Sequence, residues 1–418
     1  MFKGESMHTT EEIEQIIEKT QDLLAEEFKK YDKIRDFNQE KVLDAFIKNK
    51  IGEEHFSYVS GYGHDDIGRA AIDNLFADIF KAESAIVRNH FVSGTHALAC
   101  VLFGILRPND ELISVAGAPY DTMEEVIGKR GNQNASLKSF GIKYDEIPLV
   151  NNLDVDFEAL EKRITPQTTM VLIQRSRGYS TRRSLNIATI EKIVKIVKSQ
   201  NPNCICFVDN CYGEFVEEKE PLEVGADIMA GSLIKNPGGS IVECGGYIAG
   251  KANLVELAAM RLTAPGIGAK GGSMLNQSRL ILQGIFMAPS IVMDAVKGAV
   301  LASKLLSDMG FKTTPDTYSK RTDIIQAIEF GAPEPLIEFC KALQSASPIE
   351  SYLTPIPDEV PGYDDKLIMA GGSFIEGSTI ELSADGPLRA PYVAYMQGGI
   401  NFAHVKIAMK KVLLALKK

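Results

Sequence analysis

Cys204-Ile205-Cys206-Phe207-Val208-Asp209-Asn210 is an unbroken apolar run that stops at a carboxylate. A strand buried on both faces has this pattern. Further on comes Ser232-Leu233-Ile234-Lys235-Asn236-Pro237-Gly238-Gly239, with its lysine 26 positions after Asp209. That lysine follows another short apolar segment, Ala226-Asp227-Ile228-Met229-Ala230, and sits among small residues. An acid and a lysine at neighbouring strand ends can serve one aromatic cofactor. The lysine forms a Schiff base with an aldehyde, and the acid keeps a pyridine nitrogen protonated. The pairing points to pyridoxal 5′-phosphate.

From about residue 51 to 290 the chain alternates apolar strands with amphipathic helices. Candidate strands are Ser84–Val87, Glu111–Val115, Thr169–Ile173, Ile205–Val208, Ile228–Gly231 and Gly246–Ala249, with helices such as Ile187–Ser199 between them. Such alternation predicts an α/β fold with a mainly parallel sheet covered by helices on both faces. Beyond 290 comes a long helix, Ile291–Met309. A smaller α+β region follows, with Gly371-Gly372-Ser373-Phe374, a segment Thr379-Ile380-Glu381-Leu382 and a Pro-rich loop at Thr354–Pro357. Residues 8–50 are polar and helix-forming, with apolar positions at Ile13, Ile16, Ile17, Leu23, Leu24 and Phe28 that give each helix one sticky face. The expected organisation is a helical arm over 1–50, a large cofactor domain over 51–290 and a small C-terminal domain over 291–418. A chain of 418 residues is too long for one small core.

With 45 basic against 55 acidic residues the net charge is −10. Nucleic acid and membrane surfaces, which need concentrated positive charge, are therefore not expected partners. No apolar run is read as reaching the roughly 18 residues of a membrane span. Met1-Phe2-Lys3-Gly4-Glu5-Ser6 has no apolar signal region, so the expected location is the cytoplasm. The six cysteines lack Cys-x-x-Cys spacing and are expected to be free buried thiols, with no metal site.

Phe91-Val92-Ser93-Gly94-Thr95-His96-Ala97-Leu98-Ala99 reads as a turn entering a helix. The first N–H groups of a helix point outward along its axis, and glycine lets a phosphate come close to the backbone. Within this Ser93-Gly94-Thr95 turn, Gly94 and Thr95 are the expected amide donors, and Ser232, three residues before Lys235, adds a hydroxyl. Gly266-Ile267-Gly268-Ala269-Lys270-Gly271 matches the dinucleotide G-x-G-x-x-G, but it follows the helical Leu254–Leu262 and a proline rather than a strand. It is read as a flexible loop lining the cofactor cleft.

In this order the pieces resemble the fold-type I pyridoxal-phosphate enzymes, in the cysteine/methionine-metabolism group of cystathionine lyases and methionine γ-lyases. The resemblance is to the methionine γ-lyase-like, or aluminium resistance, branch. It is carried by Gly61-Tyr62-Gly63-His64-Asp65-Asp66-Ile67-Gly68-Arg69, Ser93-Gly94-Thr95-His96-Ala97, Val208-Asp209-Asn210, Ser232-Leu233-Ile234-Lys235 and Ala384-Asp385-Gly386-Pro387. It implies that Lys235 holds the cofactor and Asp209 faces its pyridine nitrogen. It also implies that Tyr120 stacks on the ring and protonates a leaving group. Tyr62 would reach a neighbouring subunit's phosphate, which makes the unit a homodimer with shared active sites, paired into a tetramer. The implied reaction is β- or γ-elimination from a sulfur amino acid such as methionine, cystathionine or cysteine. Other pyridoxal chemistry (aldolase, decarboxylase or aminotransferase) and a non-catalytic, stress-related cofactor-binding protein are the alternatives.

Three positions depart from the family pattern. His64 replaces a phosphate-binding arginine, which lowers the charge offered to the phosphate unless Arg69 or another basic side chain compensates. Gln174-Arg175-Ser176-Arg177-Gly178-Tyr179 replaces a segment that carries an asparagine near the ring. The strand Ile380-Glu381-Leu382-Ser383 has an acid where a carboxylate-clamping arginine is expected. A substrate carboxylate needs a bidentate donor, so Arg389 is the first candidate and Arg177 the second.

Overall fold

The computed structural model describes residues 9–131, 133–360 and 365–416; the Met1–Ser6 stretch lies outside them. In chain order the elements are α1 (Thr10–Leu23), α2 (Ala25–Lys48), α3 (Ile67–Phe80), β1 (Ser84–Arg88), α4 (Gly94–Ile105), β2 (Glu111–Ser114), α5 (Asp121–Ile127), β3 (Lys143–Glu146), α6 (Phe157–Arg163), β4 (Thr168–Gln174), α7 (Ile187–Gln200), β5 (Ile205–Asp209), β6 (Ile228–Ser232) and β7 (Gly246–Gly250). Then follow α8 (Ala252–Leu262), α9 (Gln277–Asp308), β8 (Lys312–Thr314), β9 (Ile325–Glu329), α10 (Pro333–Gln344), β10 (Leu367–Ala370), β11 (Ser383–Pro387), β12 (Val393–Gln397) and α11 (Phe402–Ala415).

Contacts divide the chain into two compact units. One is Asn38–Phe286; the other joins Met1–Phe37 to Met287–Lys418. These boundaries differ from the expected 50/51 and 290/291, because the first helix is not a separate arm. Ile13 and Ile17 of α1 are buried, Glu14 pairs with Lys410 of α11, and Lys406 Nζ donates to Gln21 Oε1 at 3.0 Å.

Within the unit Asn38–Phe286 lies a seven-stranded sheet of order β1-β7-β6-β5-β4-β2-β3. The neighbours from β3 through β6 are parallel, and β7 runs antiparallel to both β6 and β1. The expected mainly parallel α/β sheet is thus present. Parallel strands bring their C-terminal residues to one edge: Gln174 stands opposite Asp209, and Asp209 opposite Ala230. In open α/β sheets that edge is where ligands bind.

Burial explains the apolar strand sequences. On one face Phe207, Leu172, Ile228 and Ile248 pack with Leu98, Val101 and Leu102 of α4 and Val255 and Ala258 of α8. Each fully buried Phe, Leu, Ile or Val side chain among them contributes about 1.5–3 kcal/mol. A Cβ on Gly104 would lie 2.8 Å from the Leu257 carbonyl oxygen, so glycine is what allows α4 and α8 to approach this closely. By alternation Cys206 and Val208 face the other side. α7 is capped where the Asn186 side chain accepts the Thr189 N–H at 2.7 Å, and it buries Ile190, Ile193, Val194 and Val197.

The other unit carries a five-stranded antiparallel sheet of order β10-β11-β12-β9-β8. Here the expected strand Ile380-Glu381-Leu382 is absent, and β11 begins at Ser383. Ile380 and Leu382 are still buried, while the Glu381 carboxylate turns onto the Phe374 and Ile375 N–H groups at 2.8 and 3.1 Å. The long helix α9 begins at Gln277 rather than Ile291. By length and composition alone it is long and apolar enough to cross a bilayer; 72% of its apolar window is buried inside the protein, so packing accounts for that composition. All six cysteines are free, and five are buried, with Cys244 half-buried.

Candidate active site

Asp209 ends β5 and is almost wholly buried. It accepts the Cys211 N–H at 3.1 Å, and the Cys211 thiol also donates to it. Burial pushes its pKa above the ordinary carboxylate value, against the opposing pull of Lys235 and of the Cys211 bonds. Lys235 follows β6 on the neighbouring strand, with Nζ 4.0 Å from the centroid of the Tyr212 ring. Burial works against the Lys235 ammonium, but the anionic forms of Cys211 and Tyr212, then Asp209 and Tyr120, outweigh it and leave its pKa raised.

Tyr120 stands just before α5. Its N–H donates to Gln174 Oε1 at 2.8 Å, and its hydroxyl is 2.8 Å from Thr95 Oγ1. Burial first, and the Asp209 charge second, raise the phenol well above its usual value, so it keeps its proton at neutral pH. α4 starts at Gly94, and Ser93 caps it by accepting the His96 N–H at 3.1 Å. That bond spends the Ser93 side chain on the third helical residue. The Gly94 and Thr95 amides lie in the first turn, where no carbonyl one turn earlier receives them. A Cβ on Gly94 would sit 3.2 Å from Ser232 Cβ and 3.5 Å from Cys211 Sγ. A side chain there would fill the cradle that glycine leaves open.

Lys235, Asp209, Tyr120, Thr95, Gly94 and Ser232 thus converge, as Ser93 does through its cap. Two amides and a hydroxyl suit a phosphate, the ring of Tyr120 suits an aromatic face, the carboxyl suits a pyridine nitrogen, and the amine suits an aldehyde. The donor set fits pyridoxal phosphate.

Of the other predicted residues, Tyr62, Arg69 and Arg177 belong to the unit Asn38–Phe286. Tyr62, in the same unit, is 82% exposed, its carbonyl accepting the Gly272 N–H at 3.0 Å. Arg69 does not take over from His64. Its guanidinium donates to the carbonyls of Gly63 and Gly272 at 2.7 Å each and of Lys270 at 2.8 Å. Arg88 adds a bond to the Ala269 carbonyl at 2.9 Å. The glycine loop expected to be flexible is therefore tied to two buried arginines. Arg177 is buried on the loop after β4, and the Ser180 hydroxyl donates to its carbonyl at 2.8 Å. Arg389 belongs to the other unit, at the end of β11, more than half exposed and 3.0 Å from Asp365.

Four residues that bear on the site were not singled out from sequence. Gln174 holds Tyr120 and donates back to the Ser176 carbonyl at 2.9 Å. Arg175 is fully buried and binds Asn210 Oδ1 at 2.8 Å, Glu217 at 3.1 Å and Glu220 at 3.3 Å. Cys211 and Tyr212 directly follow Asp209-Asn210, and that adjacency was the available signal.

The chain belongs to the methionine gamma-lyase family, whose profile matches residues 13–417. A carbon-sulfur lyase involved in aluminum resistance from Clostridium novyi NT is 48% identical, its crystal structure superimposing with a TM-score of 0.93 over 97% of this chain and 96% of that one. An uncharacterized protein of Bacillus subtilis (strain 168) is 49% identical over 382 residues, 91% of each chain. A pyridoxal-5′-phosphate-dependent protein of Escherichia coli, 15% identical, shares the fold with a TM-score of 0.62 over 92% of this chain and 96% of its own.

Proposed function

We propose that the protein is a pyridoxal-phosphate-dependent carbon–sulfur lyase that eliminates a thiol from Cβ or Cγ of a sulfur-containing amino acid. The observation that carries this reading is the convergence of Lys235, Asp209, Tyr120 and the first turn of α4 at one sheet edge. Family membership and the carbon–sulfur lyase named above support it. The bound cofactor supplies an electron sink for negative charge at the substrate's α-carbon.

The chain's own groups do the rest. Lys235 Nζ would hold the cofactor aldehyde, and as a free amine would take the proton from the substrate's α-carbon. Asp209 holds a proton on the ring nitrogen by charge attraction. Tyr120, held protonated, donates to the departing sulfur. Gly94, Thr95 and Ser232 bind the phosphate. Arg177 and Arg389 are the two candidates for the substrate carboxylate. Gly178, next to Arg177, has room for a Cβ only 3.7 Å from Tyr120 Cβ, which favours Arg177.

Purified protein incubated with methionine, cystathionine and cysteine is expected to release a keto acid, ammonia and a thiol or sulfide. Lys235→Ala should abolish both turnover and the visible absorbance of bound cofactor. A variant that keeps both, or wild-type protein that carries the cofactor yet yields no keto acid, would remove the assignment. The exposed Tyr62 ring is assigned to a partner's site in a homodimer that pairs into a tetramer. Mixing inactive Tyr62→Phe and Lys235→Ala chains should restore activity in hybrids, and no recovery would place Tyr62 outside the shared site.

A further inference from the structure

The backbone of Tyr212 has a φ of +71°. That is the left-handed region, which bulky side chains seldom adopt and glycine enters freely. A glycine is at hand one residue later, but Gly213 meets another need: a Cβ there would lie 2.4 Å from Arg175 Cδ. Strain at a non-glycine residue persists only where the surroundings over-determine it, and it gathers where it aims a group.

The surroundings here are explicit. Arg175 grips Asn210, Glu217 and Glu220. Glu220 in turn accepts the Phe215 N–H at 2.9 Å and the Asn210 side-chain amide at 3.0 Å. Phe215 is itself left-handed, with φ +64°. Asn236, next to Lys235, donates to the Glu214 carbonyl at 3.0 Å. The turn over 210–215 is thus held at both ends and joined to the segment that carries the lysine.

What this turn aims is a ring. Lys235 Nζ stands 4.0 Å from the Tyr212 centroid, inside the range in which an ammonium is attracted to an aromatic face. Among the described residues no carboxylate lies within ion-pair distance of Nζ. The titratable groups that face it are Asp209 at the end of β5, Cys211 and Tyr212 in the turn, Tyr120 before α5 and, more weakly, Glu214. Burial pushes the Cys211 thiol, the Tyr120 phenol and the Glu214 carboxyl all upward, and the Asp209 carboxyl with them.

We propose that Tyr212 is a positioning residue for Lys235, its strained turn holding the ring face beneath Nζ so that the amine stays aimed at the cofactor and its protonated form is stabilised without a contacting carboxylate. This rests on the reading of Lys235 as the cofactor-bearing lysine. A proton shuttle must accept and release a proton in each cycle. A buried carboxylate in direct contact would hold the ammonium too firmly to release it, whereas a ring face attracts the cation more weakly.

The test uses the full chain stripped of cofactor and then recombined with pyridoxal phosphate across a pH series, followed by visible absorbance. Only the neutral amine attacks an aldehyde, so the acid limb of the rate reports protonation of the lysine. Removing the ring face destabilises the ammonium, lowers its pKa and moves the limb to lower pH. Tyr212→Leu should shift it about one unit below its position in Tyr212→Phe, which keeps the face but lacks the phenol, so that the comparison isolates the ring. Trifluorophenylalanine at position 212, compared with phenylalanine, has the same shape with a depleted face, so it separates the π interaction from any disturbance of the turn; it should move the limb in the same direction as leucine. Borohydride reduction and mass spectrometry then locate the pyridoxyl group. Leucine and trifluorophenylalanine variants with the same limb as Tyr212→Phe, still labelled at Lys235, would overturn the role of Tyr212. Labelling of wild-type protein elsewhere than Lys235 would instead overturn the reading beneath it.

Discussion

Gly94→Ala separates the cradle from the fold. Gly94 is the first residue of α4, with no left-handed backbone to protect, so alanine there meets no backbone strain and restricts the unfolded chain. The added methyl, however, would stand 3.2 Å from Ser232 Cβ and 3.5 Å from Cys211 Sγ, closing the gap through which an anion reaches the helix amides. A hydrogen bond to a charged group is worth about 1.5–3 kcal/mol, so losing one costs roughly 10- to 100-fold in affinity. The assay is a titration of stripped wild-type and variant chains with pyridoxal phosphate, read by absorbance, beside thermal melts of the same stripped chains. Weaker binding with an unchanged or higher Tm is expected. Equal affinity would show that the phosphate does not lie on α4, and a fall in both quantities would show that the methyl disrupts the packing rather than the cradle.

Glu214 is fully buried, and burial raises its carboxyl to about 8. The folded chain therefore holds a proton that an unfolded glutamate gives up near 4.5, and the stability present at low pH is lost as pH rises through this window, by about 1.4 kcal/mol per unit. Glu214→Gln should flatten that decline in urea unfolding measured between pH 5 and 8; parallel slopes for the two chains would refute it. Arg175→Met leaves Glu217 and Glu220 buried without their cation and should cost about 3–5 kcal/mol in the same measurement. A loss under 1 kcal/mol would mean that these groups pair with something other than Arg175. Tyr120→Phe removes the proposed donor to sulfur and should lower kcat by about 10²–10⁴. A wild-type rate would assign that proton to another group.

The parallel sheet was legible because strands buried on both faces are written as continuous apolar runs, as in Ile205–Asp209. β3, Lys143-Tyr144-Asp145-Glu146, was not. It is an edge strand with half its residues exposed, and charged side chains suit an edge. Ile380-Glu381-Leu382 misled for the opposite reason: its alternation is real, but the Phe374 and Ile375 backbone amides hold the acid where a strand partner would be. At the site, residues carried on short motifs could be read, and those whose meaning depends on distant partners could not. Nothing near Arg175 in sequence announces Glu217 and Glu220, 42 and 45 positions away. Arg69 illustrates the same limit, since a buried guanidinium can serve a phosphate or three carbonyls and only the fold decides which.

The pairing of α1 with α11 sets the order in which this polypeptide can finish folding. Glu14 and Lys410 are 396 positions apart, so during synthesis the first helix leaves the ribosome long before its mate has been translated. The segment Asn38–Phe286 can close its own sheet in the meantime, while the apolar stripe of Ile13 and Ile17 waits for a surface. A chaperone that shields amphipathic helices would find its substrate in that interval, and a circular permutant that links the present termini and opens the chain elsewhere would shorten the wait.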